Sequence, residues 1–233
     1  MFSVIVAALD LKLCRHLAMK TFLKCSTLLL IAASPYVAAQ DNTLLINNQA
    51  LTLTLKDNNQ AQVSSCKDYI NLHNSGSIIT DIPGLSDPDY QAARMALMDC
   101  WVEGWAIKNG YVPKQGTGYT ISEVIASFPA STAFAVNDGE KGKIKAEYKG
   151  KTLKAIYPDL KKDDENLISP SKNVGYHLYK SWHYVNAEGK KADFIALTGY
   201  ATGGTMALPN VWRVNSTSEV PWNLSAVDQN TPF

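Results

Sequence analysis

Cys66 and Cys100 constrain this fold more than any other feature, and the reason lies at the other end of the chain. From Met19 the sequence runs "MKTFLKCSTLLLIAASPYVAAQD". Lys20 and Lys24 make a positive start, "CSTLLLIAA" is a short apolar stretch, and Pro35 breaks it. "VAA" then places small residues where a signal peptidase reads. The pattern predicts a secretory signal cleaved after Ala39, so that the exported chain begins at Gln40. Met19 is then the true start and residues 1–18 an upstream extension. Cys25 precedes the apolar stretch, whereas a lipid-anchoring cysteine would follow it. No later run approaches the ~20 apolar residues of a membrane helix. The expectation is a soluble periplasmic or secreted protein, residues 40–233, folded as one domain.

Export leaves two of the four cysteines, with no odd one over. In an oxidising compartment that pairing predicts a disulfide. Both lie in helical patterns. "SSCKDYINLHNSG" has Ser64 or Ser65 as a cap and Gly76 as a stop. "SDPDYQAARMALMDCWVEGWAIKNG" starts with Asp87 as a cap, Pro88 in the first turn and acidic Asp89, and stops by Gly110. In the second helix Tyr90, Ala93, Leu97, Cys100, Trp101 and Gly104 recur at three and four, which is one helical face. A reactive cysteine would instead need a partly open, electropositive site near a histidine. A zinc site would need further ligands, and no CxxC or HxxxH spacing occurs. Neither a metal nor any other cofactor is expected.

Setting aside Lys12, Arg15, Lys20, Lys24 and Asp10 turns the 22 basic and 21 acidic side chains of the whole chain into 18 and 20. A net charge of −2 argues against a general nucleic-acid binder, which carries a basic excess.

The pattern along the exported chain is strands, helices, strands. "ALTLTL" alternates as a strand, the two helices follow, and Thr120 or Ser122 caps a shorter third helix ended by Pro129. "KIKAEYKGKTLKAIYP" reads as a hairpin folded at Lys149-Gly150, and "KKDDEN" as a mobile loop. "GYHLYKSWHYV", "ADFIALTGY" and "ALPNVWRV" read as a final meander. Without βαβ alternation this is an α+β fold: two or three N-terminal helices, two of them disulfide-linked, packed on a curved antiparallel sheet. By element order it is similar to cystatin-like or NTF2-like cones.

Several stretches could carry function. In the expected hairpin, Lys143 and Lys145 face outward and Ile144 and Tyr148 inward. Together with Lys151 they offer a steering surface for an acidic protein or an anionic envelope component. Trp182 and Tyr200 in the meander are candidate anchors for such a partner. Strand alternation puts His177, Tyr179, Ser181 and His183 on one face and Tyr176, Leu178, Lys180, Trp182 and Tyr184 on the other. The two histidines, six residues apart, are then too distant to share an ion. Gly199, Gly203 and Gly204 lack the spacing of a phosphate-binding loop. No GxSxG or SxxK marks a serine nucleophile. Glu103, between Trp101 and Trp105, is the one acid whose surroundings suit a general acid. The leading expectation is therefore a binding protein without catalysis: an inhibitor, an immunity-type partner or an envelope accessory factor. A small hydrolase of an envelope polymer is the alternative, and a small-molecule carrier using the interior of the sheet a third.

Overall fold

The computed structural model describes residues 43–116 and 118–233. The expected upstream extension, signal peptide and cleavage site lie outside the described residues.

Two antiparallel sheets and five α-helices make up the described chain. The smaller sheet contains β1 (Leu45–Ile46), β2 (Gln49–Leu55), β3 (Gln60–Val63) and β4 (Ile79–Asp81), with β2 at its centre. The larger sheet contains β5 (Tyr111–Pro113), β6 (Lys161–Asp163), β7 (Asn166–Ser169), β8 (Val174–Asn186), β9 (Lys191–Ala201), β10 (Ala207–Ser216) and β11 (Asn223–Val227). Its order is β11-β10-β9-β8-β7-β6, and β5 joins the opposite end of the β8 edge that β7 occupies. The class is α+β, as expected, and no described helix is long and apolar enough to cross a membrane.

The helices form where their caps are. At α1 (Cys66–Asn74) the Ser65 hydroxyl accepts the Asp68 N–H at 3.2 Å, and the Asp68 carboxylate accepts the Ser65 N–H at 3.1 Å. Each side chain thus satisfies an amide that the first turn leaves open. At α2 (Asp87–Lys108) the cap is Ser86, one residue before the expected Asp87, which joins Asp89 in an acidic first turn. Thr120 and Glu123 make a second capping box at α3 (Ile121–Ser127). Cys66 and Cys100 are bonded, with Cα atoms 4.9 Å apart, so the bridge ties the start of α1 to the middle of α2.

Strand β9 shows how the core is divided. Phe194 and Ala196 point into a cluster with Trp101, Val102 and Trp105 of α2, while Ile195 and Leu197 point into a second cluster with Val124, Ile125 and Phe128. Phe194 and Ile195 are both 0% exposed. A strand buried on both faces must be apolar at consecutive positions, and "FIAL" is. The large sheet is accordingly a middle layer.

The structure corrects the lysine hairpin. Residues 138–147 form α4 (Asp138–Glu147), and α5 (Leu153–Ile156) replaces the second arm. The sequence K-I-K-A-E-Y alternates, but Ile144 and Tyr148 are also four apart, which puts both on one side of a helix. There they pack against the second cluster. Asn137 caps the helix by accepting the Glu140 N–H at 2.9 Å, and lysine, glutamate and alanine favour helix over strand. The helix count rises to five for this reason. "KKDDEN", expected as a loop, instead supplies all of β6, the two-residue turn of the β6–β7 hairpin and the first residue of β7, with Asp164 in the left-handed region at φ 52°.

A β-bulge corrects the expected faces of β8. Leu178 pairs with Leu197, but Lys180 pairs with Ala196, so Tyr179 is the extra residue. Every side chain beyond it changes face. Tyr176 joins the second cluster, whereas Trp182 and Tyr184 join the first. His183 and Ser181 therefore lie on the face of the second cluster and His177 on the opposite one.

Candidate functional site

The bulge sets up a polar network that strand alternation alone does not show. His183 sits opposite Asp193 in the β8–β9 register, and Ser181 is the next residue of β8 on the same face. His183 Nδ1 is 2.8 Å from Asp193 Oδ1, and His183 Nε2 is 3.2 Å from Ser181 Oγ. Because an ionised carboxylate only accepts, Nδ1 carries a proton, and in the neutral ring Nε2 is then the acceptor for the Ser181 hydroxyl. Tyr119, one residue before the cap of α3, donates its hydroxyl to Asp193 Oδ2 at 2.9 Å. Its ring lies 5.3 Å from the His183 ring and 5.0 Å from Trp222. Burial, then the charge of Asp193, pushes the Tyr119 hydroxyl well above its ordinary range, so it stays a donor. The network is half-buried: the side chains of His183 and Asp193 are 19% and 21% exposed.

Lys114 and Gly118 both lie beside this network. The Lys114 N–H donates to the His183 carbonyl at 2.8 Å. A Cβ added at Gly118 would come within 2.5 Å of Ser181 Oγ. Only a residue without a side chain leaves that hydroxyl its place. The trio carries no local serine signature in the sequence. The legible signal was weaker: Ser181 and His183 two apart on one strand, with Asp193 across a turn.

The residues singled out from sequence are dispersed. Lys143 and Lys145 are exposed on α4, which has no buried residue, and Lys151 is exposed just after it, its Nζ 5.4 Å from the centre of the Tyr148 ring. Trp182 is 8% exposed in the first cluster, its indole N–H donating to Asp99 Oδ1 at 2.9 Å. Lys180 donates to the same carboxylate. Tyr200 pairs with Gly175 across the β8–β9 ladder, and its ring lies where a Gly175 Cβ would stand, half-buried on the face of the first cluster. The lysines and Tyr200 therefore occupy opposite faces of the sheet. Glu103 is half-buried on α2, and with Asp99 its charge adds to burial in raising the Tyr184 hydroxyl. Among the described residues no group of three or more His, Cys, Asp or Glu side chains is arranged to hold a metal.

No protein-family model, curated protein or solved structure matches this chain. Its function has to be read from its own residues.

Proposed function

We propose that this is an exported binding protein, periplasmic or secreted, that recognises an anionic partner through Lys143, Lys145 and Lys151. The partner is an acidic protein or an anionic envelope component, and the protein acts as an inhibitor, an immunity-type partner or an envelope accessory factor. The observation that carries the reading is the exposure of α4: it turns its lysines to solvent along its whole length, while Ile144 and the capping Tyr148 pack on the second cluster. Lys141, Lys149 and Lys154 extend the same stretch, against Asp138, Glu140 and Glu147. In a chain of near-neutral net charge, such clustering steers encounter more than it holds a complex together. Tyr200 would serve as an anchor on the far face, with Trp182 supporting the sheet from within.

The test is kinetic. A partner isolated with the intact protein is measured against Lys143→Glu, Lys145→Glu and Lys151→Glu combined. Association at low salt should slow about tenfold or more and lose most of its salt dependence, with dissociation little changed. Unchanged association would reduce α4 to a solvated helix.

Two further readings remain as proposals. A cone-like sheet similar to cystatin-like or NTF2-like folds would suit a small-molecule carrier, but side chains fill both faces of β9 against that use. A hydrolase acting on an envelope polymer through Glu103 is tested by Glu103→Gln, which should abolish turnover while the fold persists.

A further inference from the structure

We propose that Ser181, His183 and Asp193 form a nucleophilic centre that hydrolyses carboxylic esters, an activity separate from the binding surface on α4. The geometry is that of a hydroxyl, an imidazole and a carboxylate in series, with each proton position determined by its neighbour. Asp193 Oδ1 holds the Nδ1–H of His183, at 2.8 Å, and so fixes the tautomer in which Nε2 is a base. That base lies 3.2 Å from Ser181 Oγ, within the looser range expected before a substrate is bound. Tyr119 occupies the second oxygen of Asp193 and its ring backs the imidazole, which makes it a positioning residue.

A cross-strand His–Asp pair alone could be a strut of the hairpin. Two further features separate this site from a strut. The series continues to the hydroxyl of a half-buried serine, hydrogen-bonded to the correct imidazole nitrogen. The residue alongside Oγ is also glycine, and a Cβ there would come within 2.5 Å of that oxygen. A side chain there would evict the hydroxyl from its hydrogen bond.

In the step proposed, Ser181 Oγ attacks the ester carbonyl carbon and passes its proton to His183 Nε2. The tetrahedral adduct collapses by breaking the bond to the alcohol oxygen, and that oxygen takes the proton from Nε2. Water then attacks the acyl-Ser181 ester and gives one proton to Nε2, which returns it to Oγ as the carboxylic acid leaves. An ester is the substrate class because an alcohol leaves more readily than an amine, so cleavage needs less binding from a half-open surface. The crowding at Gly118 favours a small acyl group.

The test uses the exported chain with a fluorophosphonate probe and, separately, p-nitrophenyl acetate. Ser181 should be the modified residue by peptide mass mapping, and Ser181→Ala should abolish both labelling and turnover. His183→Gln should slow labelling about 100-fold or more, the scale of a lost general base. Gly118→Ala should also abolish labelling while leaving the melting curve near wild type. If His183→Gln does not fold, Asp193→Asn with the same readouts takes its place. The proposal is overturned by an unmodified Ser181 in folded wild-type protein, by labelling equally fast without the imidazole, or by turnover no greater than that of Ser181→Ala. Reversal of the three lysines should leave labelling unchanged, so failure of the binding reading and failure of this one are distinguishable.

Discussion

Removing the disulfide by Cys66→Ala with Cys100→Ala should lower stability by roughly 3 to 4 kcal/mol, and the structure dictates how. The bridge spans a sequence separation of 34. Closing a loop of about that length removes roughly 3 to 4 kcal/mol of denatured-chain entropy. The folded state should survive, because α1 has other attachments. Tyr69 is fully buried and donates to the Gln229 carbonyl at 2.7 Å, and His73 donates from Nε2 to the Thr231 carbonyl at 2.9 Å. The loss therefore comes mainly from a less restricted unfolded chain. For a domain of this size it corresponds to a fall in melting temperature of about 10 °C. Urea titration of the double variant should show the lower midpoint with a slightly larger m-value, as the unfolded chain expands. Hydrogen exchange should show α1 amides still protected under native conditions. A loss below about 1 kcal/mol, or α1 unprotected in an otherwise folded protein, would refute the reasoning. The first result would mean that the loop was already restricted, the second that the bridge alone docks the helix.

Three further outcomes follow from the packing. Burial, opposed by the Thr231 carbonyl, holds His73 below its ordinary value, so the folded state prefers the neutral ring. Stability should be complete above the unfolded value near 6.5 and fall as pH drops through the folded value; thermal melts from pH 7.5 to 4.5 should show this fall diminished in His73→Gln. A Cβ at Gly104 would lie 2.7 Å from the Phe233 ring and 3.0 Å from Ile70 Cγ1. Gly104→Leu should then displace the segment 228–233 from α2 and cost about 1 to 3 kcal/mol, with faster proteolysis of that segment; unchanged stability and protease resistance would argue against the docking. Tyr176 accepts the Phe134 N–H at 3.0 Å in the core. Tyr176→Phe leaves that amide unsatisfied and should cost about 1 to 3 kcal/mol in urea titration, and an effect under 0.5 kcal/mol would mean that the amide finds another acceptor.

The residues alone determined the parts of this protein that rest on local or covalent chemistry. Capping side chains stand next to the amides they satisfy, so α1, α2 and α3 were legible to within a residue at their starts. The two cysteines beyond the expected signal segment had only each other, so the bridge was legible too. Long alternating or doubly apolar runs marked β8, β9 and β10. The fold of 138–156 was undetermined locally, because the same six residues alternate and also carry a four-residue spacing. The second cluster decided between them by giving Ile144 and Tyr148 a common place to bury. The candidate nucleophilic centre depends even more on tertiary structure. One extra residue at Tyr179 exchanges the faces of β8, and only β9, by fixing which carboxylate stands opposite His183, turns Ser181 from a strand position into a hydroxyl beside a base. A bulge costs one unpaired residue and leaves no mark in the composition, whereas the cross-strand register it sets is a property of two strands at once.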